Sequence, residues 1–196
     1  MASMTSQAYE VFHNKAGAET LSPALPDQVE RLAECVLKRA CAMELRLAIA
    51  ESCTGGLLSA LLTDVEGTSH AFERGFIVYS VEAKQEMLGV DAALIKDHGA
   101  VSAQVAMAMA KGVLERSKAD VALAITGFAG IAQPQDEEGL VYIACIGRAG
   151  SLHTQEEHFG AIGRSGVRVA ALHSALCLAL HLLTEDYSGA LISHAH

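Results

Sequence analysis

The residues best suited to chemistry are concentrated in Glu51-Ser52-Cys53-Thr54-Gly55-Gly56. The apolar run Leu45 to Ala50 before them reads as a short buried strand, and a helix is expected from about Gly55 to Thr63. A hydroxyl at such a turn stands beyond the carboxyl end of a strand, where open α/β sheets bind ligands. The following helix offers unpaired N–H groups and the positive end of its dipole. The paired glycines let a substrate approach the backbone closely. In that setting Ser52 could attack a carbonyl carbon while neighbouring N–H groups hold the developing oxyanion. The same residues equally describe a polar turn in which Ser52 or Thr54 does no more than cap the helix.

A neutral serine hydroxyl is a weak nucleophile and needs a base. His70, His98, His153 and His158 fall in loop or polar-strand contexts and read as surface residues. Lys84 is better placed. It follows the second expected strand, Gly75 to Tyr79, in Tyr79-Ser80-Val81-Glu82-Ala83-Lys84, and neighbouring strands would bring both carboxyl ends together. A buried lysine has a depressed pKa and can take a proton near neutrality. A lysine on an exposed helical turn is only a solvated charge, and spacing alone does not decide between the two. Cys53 is a further candidate nucleophile, although the commoner role for such a residue is a small buried side chain.

The remaining elements must position these groups. A first helix is expected through Cys41, with Asp27 as its N-cap, Glu30 three residues on, and Val29, Leu32, Val36, Leu37 and Ala40 at helical spacing. Helical turns follow at Glu82 to Leu88 and Ala92 to Asp97. A longer helix is capped by Ser102 and carries Val105, Met109 and Val113 on its inner face. Val121 to Thr126 reads as a third strand, Leu140 to Ile146 as a fourth and Leu152 to Phe159 as a fifth. A near-fully apolar helix from about Ser165 to Leu183 closes the domain and must be buried. Helices separate the first three strands, which are therefore parallel, with helices on both faces. The short link Gly147 to Ser151 turns the fifth strand antiparallel to the fourth. Its polar side chains suit an edge, and it is expected to be the only antiparallel strand. The reading is an α/β fold, a three-layer α/β/α sandwich with a five-stranded mixed sheet. Residues 1–25 read as a poorly ordered lead-in, 26–185 as the domain and 186–196 as a tail.

Composition narrows the functions. The formal net charge of −9 and the absence of any Lys/Arg run disfavour a phosphate backbone as partner, so nucleic-acid binding is not expected. Cys35, Cys41, Cys53, Cys145 and Cys177 form no Cys-x-x-Cys pair, which argues against a disulfide framework or thiolate zinc site and suits a reducing compartment. No metal site is expected. Met1 to Ala18 lacks the pattern of a signal peptide. The most apolar stretch, 169–183, is short and interrupted by His173, Ser174 and His181, so no membrane span is expected. A cytoplasmic protein, associating as a homo-oligomer, is the expectation.

Ala50-Glu51-Ser52-Cys53-Thr54-Gly55-Gly56 resembles the signature of the CinA C-terminal-domain family, which includes bacterial nicotinamide mononucleotide (NMN) deamidases. Four further blocks resemble it in the same order: Arg74-Gly75-Phe76 through Tyr79-Ser80 to Glu82-Ala83-Lys84; Leu88-Gly89-Val90; His98-Gly99-Ala100-Val101-Ser102; and Thr126-Gly127-Phe128-Ala129-Gly130. The similarity covers about residues 27–184. It implies a serine amidohydrolase with a Ser/Lys dyad, converting NMN to nicotinate mononucleotide and ammonia. By position, Ser52 would be the nucleophile and Lys84 the base, with Tyr79 lining the pocket and orienting the dyad. Thr54, Gly55, Gly56 and Thr126 would line the carbonyl and phosphate site, and Arg164 would pair with the phosphate. No cofactor is implied. The larger members carry a further molybdopterin-biosynthesis-like domain at the N-terminus, which is not expected in these 196 residues.

The sequence departs from the family pattern at three places. The loop Ile131 to Glu138 holds Asp136, Glu137 and Glu138 where relatives place glycines and a Lys-Pro; carboxylates at the mouth of the pocket would oppose an anionic ligand. The usual Gly-Asp-Arg appears as Ile162-Gly163-Arg164, and Val81 replaces an Asn. These changes imply a weakened enzyme or an altered substrate. The alternative is a non-catalytic nucleotide-binding or regulatory module of the same fold.

Overall fold

The computed structural model describes residues 25–130, 136–185 and 187. The lead-in and nearly all of the tail expected from the sequence lie outside the described residues, as does 131–135 of the acidic loop. Among the described residues the chain forms six helices and one five-stranded mixed sheet. In order they are α1 (Asp27–Ala42), β1 (Leu47–Glu51), α2 (Leu57–Thr63), β2 (Phe72–Ile77), α3 (Val81–Leu88), α4 (Ala92–His98), α5 (Ala103–Glu115), β3 (Val121–Gly127), β4 (Leu140–Gly147), β5 (Leu152–His158) and α6 (Gly163–Glu185).

The sheet order is β2-β1-β3-β4-β5. β1 is parallel to both β2 and β3, as the intervening helices require, while β4 is antiparallel to β3 and β5 antiparallel to β4. This corrects the strand directions expected from the sequence. The lone reversed strand is β4, and β5, at the edge, runs with β1 to β3. No described helix intervenes between β3 and β4. Phe128 N–H donates to Leu140 O and Gly139 N–H to Phe128 O, both at 2.8 Å, so the two strands are joined as a hairpin.

Strand alternation divides the core between two faces. Leu47 and Ile49 of β1, Val121, Leu123 and Ile125 of β3, and Val141 and Ile143 of β4 pack against α1, α2 and α6. Ala48, Ala50, Ala122, Ala124 and Ala144 face the other way, onto Val105, Met109 and Val113 of α5 and onto Leu88 and Val90. Large residues thus meet the α1/α6 layer, and alanines let α5 lie close to the sheet.

The helix starts show how local chemistry sets the boundaries. α1 is preceded by Pro26 and has no side-chain cap; Asp27 is its first residue, not its cap, and sits with Glu30 at the positive end of the dipole. Ser80 caps α3 by accepting from Ala83 N–H, Asp91 caps α4 from Ala93 N–H, and Ser102 caps α5 from Val105 N–H. Gly89 ends α3 in a left-handed conformation, φ 70°. α6 is longer than the apolar run suggested because it begins at Gly163. Its 23 residues, with a mean hydropathy of 1.6 over the most apolar stretch, are long and apolar enough to cross a bilayer by length and composition. Here it is a core helix that buries Val167, Ala171, Leu172, Leu176 and Leu183, among others.

Candidate active site

The site lies where β1, β2 and β3 end. Glu51 closes β1 and is fully buried. Val78 N–H donates to Glu51 O at 2.8 Å and Ser52 N–H to Ile125 O at 3.0 Å, so Ser52 leaves the sheet tied to both neighbouring strands. The chain then folds through Gly55 and Gly56, whose φ values of 61° and 91° only glycine adopts without strain.

Glu51 decides what the start of α2 can bind. Its carboxylate accepts from Gly56 N–H and Leu58 N–H (both 3.1 Å) through Oε2, and from Ser59 N–H (2.7 Å) and Ser59 O–H (2.6 Å) through Oε1. The unpaired amides and dipole that might hold a ligand anion are therefore satisfied by the protein's own carboxylate. Gly55 N–H is also taken, donating to Ser52 O at 3.1 Å.

Lys84 follows β2 on the first turns of α3 and is only 2% exposed. Its Nζ lies 2.9 Å from Ser52 Oγ, 2.9 Å from Val78 O and 3.4 Å from Tyr79 O. Burial holds the Lys84 amine below the usual lysine range, with the neighbouring Cys53 acting weakly in the other direction. An uncharged amine has two N–H bonds and one lone pair. Donating those bonds to the two carbonyls leaves the lone pair to accept the Ser52 hydroxyl proton, the arrangement a general base requires.

The pocket over the dyad has a volume of about 210 Å³, with Ser52, Cys53, Tyr79, Lys84, Thr126 and Arg164 in its wall. Ala100 and Val101 line one side and the Phe128-Ala129-Gly130 turn another. Arg164 stands at the start of α6, its guanidinium beside Gly130. Tyr79 is 66% exposed at the rim, and it is its backbone carbonyl that touches Lys84. Thr126 O–H donates to Ala100 O at 2.9 Å, fastening two walls together. Thr54, Gly55 and Gly56 are not among the residues lining this pocket. Thr54 is fully buried behind the turn, and among the described residues its Oγ1 has no hydrogen-bond partner.

Two expectations change with the geometry. Burial pushes the Cys53 thiol up to about 11, which keeps it protonated and a poor nucleophile. Of the acidic loop, Asp136, Glu137 and Glu138 do not line the pocket. The Glu137 carboxylate meets His158 Nδ1 of β5 at 2.6 Å, and this contact is the chief reason the His158 imidazole is held above its ordinary value. Sequence reasoning missed Glu51 as the anchor of the turn. It also missed Arg168, whose Nε and Nη2 donate to Thr54 O at 3.2 and 2.6 Å. Glu51 carried a usable signal, a carboxylate one residue before a helix-initiating turn; Arg168 carried none beyond its helical spacing from Arg164.

Comparison with known proteins agrees with this fold. The chain matches the profile of the CinA C-terminal domain over residues 29–183. It is 45% identical over 143 residues to a CinA-like protein of Syntrophobacter fumaroxidans, and 45% over 142 residues to one of Akkermansia muciniphila. These matches cover 72% and 71% of this chain but 33% of each relative, so the chain spans about a third of the length of the curated relatives it matches. Among solved structures, the competence/damage inducible protein CihA of Agrobacterium tumefaciens superposes with a TM-score of 0.77 at 39% identity, covering 80% of this chain and 98% of that one. A CinA superfamily protein of Escherichia coli superposes with a TM-score of 0.74 at 36% identity, covering 79% and 90%. The chain belongs to the CinA C-terminal domain family.

Proposed function

We propose that this chain is a serine amidohydrolase in which Ser52 is the nucleophile and Lys84 the base, and that its substrate is NMN or a closely related carboxamide. The observation that carries the reading is the buried Lys84 Nζ, 2.9 Å from Ser52 Oγ, its pKa lowered by burial toward the uncharged form that can accept a proton. In this mechanism Ser52 Oγ attacks the carboxamide carbon as its proton passes to Nζ. The tetrahedral intermediate collapses, the C–N bond breaks, and the Lys84 ammonium returns the proton to the departing nitrogen, which leaves as ammonia. A water molecule, deprotonated by the regenerated amine, then attacks the Ser52 ester. The carboxylate product departs and the hydroxyl proton is restored.

Arg164 supports an anionic substrate, since a guanidinium at the rim can pair with a phosphate. The carboxylates expected to oppose that phosphate give less resistance than the sequence implied, because Glu137 turns to His158. Ammonia release from NMN, measured beside a panel of small amides, tests the proposal. Turnover is expected in the unmodified chain and loss of it, with binding retained, in Ser52→Ala and Lys84→Ala. Binding without turnover, unchanged in Ser52→Ala, would identify a nucleotide-binding module instead, and loss in Cys53→Ala alone would favour a thiol nucleophile.

A further inference from the structure

We infer that Arg168 is a positioning residue for the nucleophile: its guanidinium clamps the Thr54 carbonyl to α6 and so fixes the turn that aims Ser52 at Lys84. The inference rests on the hydrolase reading above and adds a residue to it. Arg168 is half-buried on α6, one helical turn beyond Arg164, and is not part of the pocket wall. It spends two charge-assisted hydrogen bonds, from Nε and Nη2, on one main-chain oxygen. That oxygen also accepts Leu57 N–H at 3.3 Å, the first amide of α2.

The position of that oxygen makes the clamp consequential. Thr54 lies two residues past Ser52, and the two residues after it are glycines at positive φ, the softest backbone in the turn. Glu51 holds the far end of the segment through Gly56, Leu58 and Ser59. Ser52 N–H holds the near end to Ile125. Between these anchors the Arg168 fork is the tie that reaches the turn from a helix 114 residues away in sequence. Without it, the glycine pair can relax and carry the Ser52 hydroxyl away from Nζ. Displacements of about 1 Å at a reacting atom cost on the order of 10²-fold in rate.

The test compares Arg168→Ala and Arg168→Lys with the unmodified full chain by amide hydrogen exchange, ammonia release from NMN, and thermal melting. In Arg168→Ala the Gly55 and Leu57 amides should exchange about ten-fold faster or more while α1 amides are unchanged. The kcat should fall about 10²-fold with KM within about three-fold. Millimolar guanidinium chloride, but not potassium chloride, should restore part of the rate, and Arg168→Lys should retain more than Arg168→Ala. Unchanged exchange in the turn overturns the clamp. A raised KM at constant kcat overturns it too, because Arg168 would then be touching substrate. A collapse of melting temperature without rescue by guanidinium would reduce Arg168 to ordinary packing and also overturn it. If the unmodified chain neither releases ammonia nor is labelled at Ser52 by a fluorophosphonate, the hydrolase reading fails separately. Faster exchange in the turn of Arg168→Ala would then leave a structural clamp with no nucleophile to position, and the positioning role would fall with it.

Discussion

Replacing Glu51 by glutamine tests whether the buried carboxylate is what holds the nucleophile turn together. The side chain is fully buried and receives four donors, three main-chain N–H groups and the Ser59 hydroxyl. Glutamine has the same shape but offers one acceptor oxygen and an NH₂ group. Its best orientation keeps the oxygen toward Gly56 and Leu58 and turns the NH₂ toward Ser59, whose hydroxyl can rotate to accept. One part-buried amide, Ser59 N–H, then loses its partner, at about 1–3 kcal/mol. The two surviving bonds lose their charge assistance, at about 1 kcal/mol each. The expected loss is about 3–5 kcal/mol, a substantial share of the roughly 5–15 kcal/mol that stabilises a domain. At about 2–4 °C per kcal/mol for a domain of this size, Tm should fall by at least about 6 °C. Differential scanning calorimetry on Glu51→Gln and Glu51→Ala measures this, with alanine expected to be the worse because every donor is then orphaned. A fall of less than about 3 °C in Glu51→Gln would show that the turn holds itself and that the carboxylate is incidental.

Two further outcomes follow from the same geometry. The kcat/KM for ammonia release should rise with pH along an acid limb that lies below 10.5, the free-lysine value, because burial lowers the Lys84 pKa and only the uncharged amine can accept the Ser52 proton; a rate that stays flat or falls as pH rises through that window would contradict Lys84 as base. Gly112→Ala would drive a methyl group into the Leu88 carbonyl at the end of α3, the helix that carries Lys84. A net cost of about 1–2 kcal/mol, read by chemical denaturation, together with reduced kcat, is expected once the better helix propensity of alanine is set against the overlap.

Much of the fold was legible because it is written in local patterns. Strand alternation, the Ser102 cap and the helices between the first three strands each follow from residue types at fixed spacing. The sense of β4, opposite to the expectation, is also carried by the sequence. The stretch between β3 and β4 shows no helical pattern, and a connection without a crossover helix joins antiparallel strands. The approach of Lys84 to Ser52 could be anticipated only as the convergence of two parallel strand ends. Burial of the lysine, which decides its chemistry, brings it against Ser52, 32 residues away, and is not local. Arg168 and Thr54 are 114 residues apart, and no periodicity announces such a contact. Glu51 lies inside the motif, yet its carboxylate reaches forward to an amide eight residues on, a contact that the hydroxyl-bearing turn alone does not announce.

The unequal faces of the sheet have a consequence for how this domain can diverge. On the α1/α6 side, leucine, isoleucine and valine meet leucine and valine, and exchanges among branched side chains of similar volume can be absorbed by repacking. On the α5 side the strands present alanine at Ala48, Ala50, Ala122, Ala124 and Ala144, and even one added methylene must push a whole helix. Sequence drift should therefore be lopsided, with the bulky face exploring substitutions while the alanine face stays nearly fixed. The constrained face is also the one that borders α3 and the lysine. A lineage that changed its chemistry could rebuild the rim around Arg164 and Tyr79 freely, but it would inherit the close spacing between α5 and the sheet.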